Sequence, residues 1–162
     1  MSSTDSNVIP DASPLELIRV QVKPDWLDYN GHMNVTYYTM TFDQAFDKFQ
    51  DRMGIGREYV EQEAQSFFAL HYNIHYHSEV TRGQTLTVTL QLLEVGEKKI
   101  RVMMIMYADG SSNVVATGEL LSIHVDMKSR RASAIPKEQR EQLDLLLKSH
   151  KNLPTAHWQD TP

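Results

Sequence analysis

The stretch Asn34-Val-Thr-Tyr-Tyr-Thr-Met-Thr-Phe-Asp-Gln-Ala-Phe-Asp-Lys-Phe-Gln-Asp-Arg-Met53 decides the fold. Its apolar residues recur at helical spacing: Tyr38, Phe42, Ala45, Phe49 and Met53 form one stripe, and Phe46 widens it. A helix of this kind is too apolar on one side to stand in water and needs another element against it. Asn34 is a suitable N-cap, because its short side-chain oxygen can accept from an orphan backbone NH of the first turn. Gly54 and Gly56 end the helix.

On either side of this helix the apolar period shortens from 3.6 to 2. Upstream, Leu15 to Val22 reads as a short strand. Downstream, after a polar segment from Glu58 to Gln65, Phe68, Leu70, Tyr72, Ile74 and Tyr76 alternate with more polar neighbours. Leu86, Val88, Leu90 and Leu92 then alternate with Thr85, Thr87, Thr89 and Gln91. Gly96 and Glu97 turn the chain into Ile100, Val102, Met104 and Met106, and Asp109-Gly110 turns it into Val115, Thr117, Leu121, Ile123 and Val125. These four strands read as a meander. Lys137 to Lys148, after Pro136, carries Leu143, Leu146 and Leu147 and predicts a terminal helix. The pattern is α+β: one antiparallel sheet with a single long helix on its inner face, over residues 14–149. Residues 1–13 and 150–162 read as loose tails. Edge strands of such a sheet need cover, and a second copy of the chain would provide it.

Composition narrows the function. The 162 residues carry a formal charge of −5 and no cysteine. Thiol nucleophiles, thiolate metal sites and disulfides are therefore excluded, and a reducing cytoplasm is the expected compartment. An acidic chain with small basic clusters is a poor nucleic-acid ligand. Neither a leader-like start nor a membrane-length apolar run is present, so neither export nor a membrane partner is expected.

The chemistry concentrates in Trp26-Leu27-Asp28-Tyr29-Asn30-Gly31-His32-Met33-Asn34, between the first strand and the helix. A carboxylate at Asp28 lies just upstream of helix NH groups that point back toward the loop. Those donors suit a developing oxyanion. With Asp28 as nucleophile or general base and the backbone NH near Val35 holding the carbonyl oxygen, the segment could cleave an activated acyl group. The bland reading of the same residues is an Asn/Asp/Gly turn with a capping carboxylate. His71, His75 and His77 alternate on one strand, but same-face positions lie about 7 Å apart, so at most His75 and His77 could share an ion and no metal site is expected.

The run Asp28-x-x-Gly31-His32-Met33-Asn34, followed by Tyr37, Tyr38 and a long helix, resembles the signature of hot-dog-fold acyl-CoA thioesterases of the 4-hydroxybenzoyl-CoA thioesterase-like group. The resemblance spans about Val20 to Pro136 and takes in Gly83 and His124-Val125-Asp126. Within that group the nine-residue motif looks most like the betainyl-CoA thioesterases of carnitine breakdown. The resemblance implies a sheet wrapped around one central helix and a homodimer, with a tetramer as a further assembly, whose active sites lie at the subunit interface. It also implies hydrolysis of an acyl-CoA thioester without metal or other cofactor. By carry-over Asp28 matches the catalytic aspartate, the NH of Val35 the oxyanion donor, Gly31 the turn glycine, and His32 and Asn34 positioning residues. His71 departs from the acidic residue expected in that strand.

Two further groups of residues fit such a substrate. Rings hold a quaternary ammonium by cation–π attraction, and Trp26, Tyr29, Tyr37 and Phe68 lie in or near the motif and the facing strand. Phosphates of coenzyme A need cations, and Arg82, Lys98, Lys99, Arg101 and Lys128-x-Arg130-Arg131 are the dense basic sites. The same scaffold with His32 and Asp28 as an acid/base pair would suit a hydroxyacyl-thioester hydratase, and without turnover it would be an acyl-CoA binding protein.

Overall fold

Asn34 caps the long helix as its sequence predicts: its side-chain oxygen accepts from the NH of Thr36 at 3.0 Å. The helix, α1, runs over Val35–Arg52 and is closed by Gly54, whose φ of +69° suits the left-handed end of a helix. The computed structural model describes residues 13–110 and 112–154. Most of both expected tails therefore lies outside the described residues.

Around α1 curls one antiparallel sheet of β1 (Leu15–Gln21), β2 (Gln65–Tyr76), β3 (Thr85–Val95), β4 (Lys99–Ala108) and β5 (Val114–Asp126), with the short β6 (Arg131–Ala132) beside β5. Tyr38, Phe42, Ala45, Phe46 and Phe49 are all buried, as are Leu86, Val88 and Leu90 of β3 and Val102, Met104 and Met106 of β4. They join in a single core. Gly118 of β5 faces the helix directly: a Cβ there would meet the Phe42 ring at 3.4 Å. A sheet wrapped around a central helix in this way is the hot-dog fold, α+β as expected.

The expected meander of four needs correction. The strand order is β1-β3-β4-β5-β2, so only β3, β4 and β5 are joined as consecutive neighbours. β1 occupies the free edge of β3, with Val20 opposite Leu86, which sends β2 to the far edge of β5, with Tyr76 opposite Ala116. Alternation marks a strand and one buried face but does not name its partner. A bulge at Leu70 also switches the facing along β2: Tyr72 and Ile74 pack on the core, whereas Phe68 and Leu70 are exposed and Phe67 is buried.

The polar segment after α1 is largely helical. Arg57–Glu63 forms a second helix, α2, anchored by buried Tyr59 and ended by Ala64 in the left-handed conformation. The terminal helix, α3, runs over Lys137–His150 and sends Leu143 and Leu146 into the common core. His150, expected to begin a loose tail, is instead fully buried. Its Nδ1 accepts from the NH of Leu92 at 2.9 Å, so the packed unit extends through it.

Candidate active site

The loop between β1 and α1 is tied at three levels. The NH of Gly31 donates to the Asp28 carbonyl at 3.0 Å, and the NH of Asp28 donates to the His32 carbonyl at 3.1 Å. Asp at the first and Gly at the fourth position is a common turn arrangement, and the φ of +81° at Gly31 is the reason a side chain is disfavoured there. Below the turn, Leu27 bridges Met33, and the NH of Asn34 donates to the Trp26 carbonyl at 2.9 Å. Across it, the NH of Met33 donates to the carbonyl of buried Val80 at 2.7 Å, which pins the connection from β2 to β3 against the motif.

Asp28 sits on this turn with both carboxylate oxygens engaged. Oδ1 accepts from the NH of Asn30 at 2.8 Å, and Oδ2 accepts from Asn34 Nδ2 at 3.3 Å. Asn34 in turn caps α1, so the carboxylate is linked through one side chain to the positive end of the helix. Val35 is the first helical residue and is exposed; its NH has no acceptor within the helix and is one of the orphan donors of that end. His32 lies beside it, with Nδ1 at 3.2 Å from the Met33 carbonyl. A carboxylate, a first-turn helix NH and a left-handed glycine thus share one hydrogen-bonded loop.

Next to this arrangement is a pocket of about 360 Å³, lined by His32, Val35, Tyr38, Tyr76, His77 and Glu79 among others. Sequence reading assigned Tyr38 and Tyr76 to the buried pattern and missed Glu79. The signal for them is the anchoring of Val80, which brings the end of β2 to the start of α1. Burial pushes the Tyr38 phenol up to about 12, with Tyr76 and Glu79 adding to the rise. Burial also lowers the pKa of His77, with neighbouring His75 contributing, and His77 Nε2 lies 3.0 Å from Thr117 Oγ1. A larger groove of about 640 Å³, touched by Ile18, Asp47, Asp51 and Arg57, runs along the C-terminal half of α1, away from Asp28.

The four expected rings are not gathered around one point. Trp26 is buried and stacks on Tyr37 at 5.2 Å between centroids, so the two cover each other's faces. Tyr29 is 99% exposed at the turn, and Phe68 lies at the opposite end of β2, beneath the Arg130 guanidinium at 5.4 Å. The basic residues divide in the same way. Arg82 belongs to the turn whose Gly83 NH donates to the Val22 carbonyl, at the Asp28 end of the sheet. Lys98, Lys99, Arg130 and Arg131 lie at the other end, on the order of 30 Å away along β3 at ~3.3 Å per residue. Arg101 is held by Glu94 and Glu119, which leaves its charge committed to a neighbour on its own sheet. His75 and His77 stack at 6.3 Å, and no group of three or more potential metal ligands occurs among the described residues. Nor is any helix among them long and apolar enough to cross a membrane.

Residues 22–143 match the family described as the thioesterase-like superfamily. The chain is 34% identical over 144 residues to the L-carnitine dehydrogenase/betainyl-CoA thioesterase of Rhizobium meliloti, covering 88% of this chain and 29% of that protein. It thus spans less than a third of the length of that relative. It is 28% identical over 133 residues to the betainyl-CoA thioesterase of Pseudomonas aeruginosa, covering 82% of this chain and 84% of that one. In fold it is similar to a Staphylococcus aureus protein solved in complex with CoA, with a TM-score of 0.80, 23% identity and 91% of each chain covered. The family match encloses the Asp28 loop, α1 and the whole sheet from β2 to β5, and the chain belongs to the thioesterase-like superfamily.

Proposed function

We propose that the protein is an acyl-CoA thioesterase whose favoured substrate is betainyl-CoA, released as betaine and CoA in carnitine breakdown. The observation that carries this reading is the Asp28 carboxylate, linked through Asn34 to the N-terminus of α1 beside the NH of Val35. The names of its curated relatives support the choice of acyl group.

In this reading the thioester carbonyl oxygen accepts from the Val35 NH, where the helix dipole adds to the hydrogen bond. Asp28 acts in one of two ways. It takes a proton from a water that attacks the carbonyl carbon, or it attacks that carbon itself and forms an anhydride that water then opens. In both cases the C–S bond breaks, the sulfur leaves as thiolate and takes up a proton, and the acyl group leaves as a carboxylate. His32 and Asn34 position the loop.

A homodimer is part of the proposal. Lys98, Lys99, Arg130 and Arg131 lie too far from Asp28 on their own sheet, so they meet the CoA phosphates of this site only from a partner chain. Arg82 is the candidate from the same chain. The proposal includes a cytoplasmic location, in keeping with a chain that carries no cysteine.

Thiol release from a panel of acyl-CoA esters, betainyl-CoA among them, tests the reading with wild type and Asp28→Asn side by side. Loss of at least ~100-fold in rate with binding retained is expected for a group acting on the reacting centre. Unchanged hydrolysis by the variant removes Asp28 from the mechanism, and absence of thiol release from every ester removes the thioesterase.

A further inference from the structure

We propose that the pocket at the start of α1 is a box for the cationic head of the acyl group, in which the rings of Tyr38 and Tyr76 and the carboxylate of Glu79 hold a quaternary ammonium. The proposal rests on the thioesterase reading and deepens it by naming the residues that select the acyl group.

Tyr38 and Tyr76 meet edge to face, with centroids 5.0 Å apart and planes at 84°; Tyr38, 3% exposed, closes the floor of the pocket, and Tyr76 forms its open wall. Tyr76 is 48% exposed and presents its surface to the pocket. In Trp26 and Tyr37, by contrast, parallel stacking covers one face of each ring, and Lys23 Nζ lies over the Trp26 ring at 5.9 Å. Glu79, on the segment after β2, lines the same pocket and lies close enough to Tyr38 to act on its phenol electrostatically. Aromatic faces plus one carboxylate are the chemistry that recognises an ammonium too substituted to donate a hydrogen bond. The remaining titratable walls are His32 and His77, and burial favours the neutral form of His77, so its imidazole does not oppose a cation.

Distance supports the same assignment. Val35 and Tyr38 are three residues apart on α1, one helical turn, which is a rise of about 4.5 Å. In a betainyl ester a single methylene separates the carbonyl carbon from the nitrogen. A carbonyl oxygen on the Val35 NH therefore keeps the trimethylammonium close to Val35, which lines the same pocket as Tyr38, Tyr76 and Glu79.

The test compares betainyl-CoA with 3,3-dimethylbutanoyl-CoA, which has the same shape with carbon in place of the charged nitrogen. Wild type, Glu79→Gln and Tyr76→Leu are assayed for kcat/KM on both esters, and glycine betaine binding is followed by calorimetry. Both substituted positions are solvent-accessible, so folded variants are expected. The expected result is a fall of about tenfold in kcat/KM for betainyl-CoA alone in each variant, with the neutral ester within about twofold of wild type and betaine binding weakened in parallel. Equal losses on both esters, or an unchanged ratio, overturn the box. If wild type releases thiol from neither ester, the thioesterase reading fails, and calorimetry decides the box separately: betaine binding that weakens in both variants supports it, and no betaine binding to wild type overturns it.

Discussion

Asn34 serves Asp28 and α1 with the two ends of one amide: Nδ2 donates to Asp28 Oδ2 at 3.3 Å while Oδ1 accepts from the Thr36 NH at 3.0 Å. Helix capping and carboxylate orientation are thereby the same event. The substitution Asn34→Asp keeps an acceptor for the cap, removes the donor and sets a like charge against Asp28. Thiol release is expected to fall about tenfold or more, with the melting temperature nearly unchanged. Asn34→Ala also loses the cap and costs about 1 kcal/mol in a urea melt. Full activity in the Asn34→Asp protein would show that Asn34 does not orient Asp28.

Gly118 and Phe42 set how closely the sheet approaches the helix. With a Cβ at Gly118 already 3.4 Å from the ring, Gly118→Val overpacks the core and is expected to cost about 1–3 kcal/mol in urea denaturation. Adding Phe42→Leu should recover part of that loss. If the two changes simply add in a double-mutant cycle, the ring is not what the new side chain meets.

His150 closes the packed unit. Because its Nδ1 accepts from the buried Leu92 NH, Nε2 carries the proton and donates to the Ser13 carbonyl at 3.1 Å. His150→Ala leaves the Leu92 NH without its acceptor, at a cost of about 1–3 kcal/mol. A chain ending at Ser149 should be destabilised at least as much relative to one ending at Pro154 in thermal melting. Equal stability of the Ser149 and Pro154 chains would return residue 150 to a loose tail.

Acid should weaken the fold through the same histidine and through His124. His124 is fully buried between Tyr59 OH at 2.8 Å and Ser133 Oγ at 3.0 Å. Burial lowers both folded-state pKa values, while each unfolded imidazole titrates near 6.5. The unfolded chain therefore binds more protons on acidification, so the stability these residues supply is complete above about pH 6.5 and declines as the pH falls below it. Urea midpoints at pH 7.5 and 5.5 should show the decline, and the His124→Gln, His150→Gln double variant should show a shallower one. An equal decline in the double variant would assign the acid sensitivity to other groups.

Long-range pairing, more than local structure, separated expectation from fold. The long helix, its Asn34 cap and the Gly54 end were readable because period and capping are local properties of contiguous residues. The Asp28-to-Asn34 loop was readable for the same reason. The partner of β2 was not, since Phe68 to Tyr76 alternates identically whether it lies beside β3 or β5. The bulge at Leu70 is equally silent in sequence and turns Phe68 outward, while its place at the far end of β2, beneath Arg130, keeps it from the expected ring cluster. Glu79 and Tyr76 became neighbours of Val35 only through the Val80 anchor, a contact between segments more than forty positions apart.

The strand order also governs the order in which the chain can assemble. β3, β4 and β5 close through short connections at residues 96–98 and 109–113, so their hairpins need little loop entropy. β1 and β2 take the two opposite edges of that three-stranded ribbon, Val20 at Leu86 and Tyr76 at Ala116, with α1 between them. Non-local pairing of this kind slows folding relative to the hairpins alone. The Asp28 loop, which follows β1 and is held through Met33 to Val80 of the β2–β3 connection, takes its shape only when those distant segments meet.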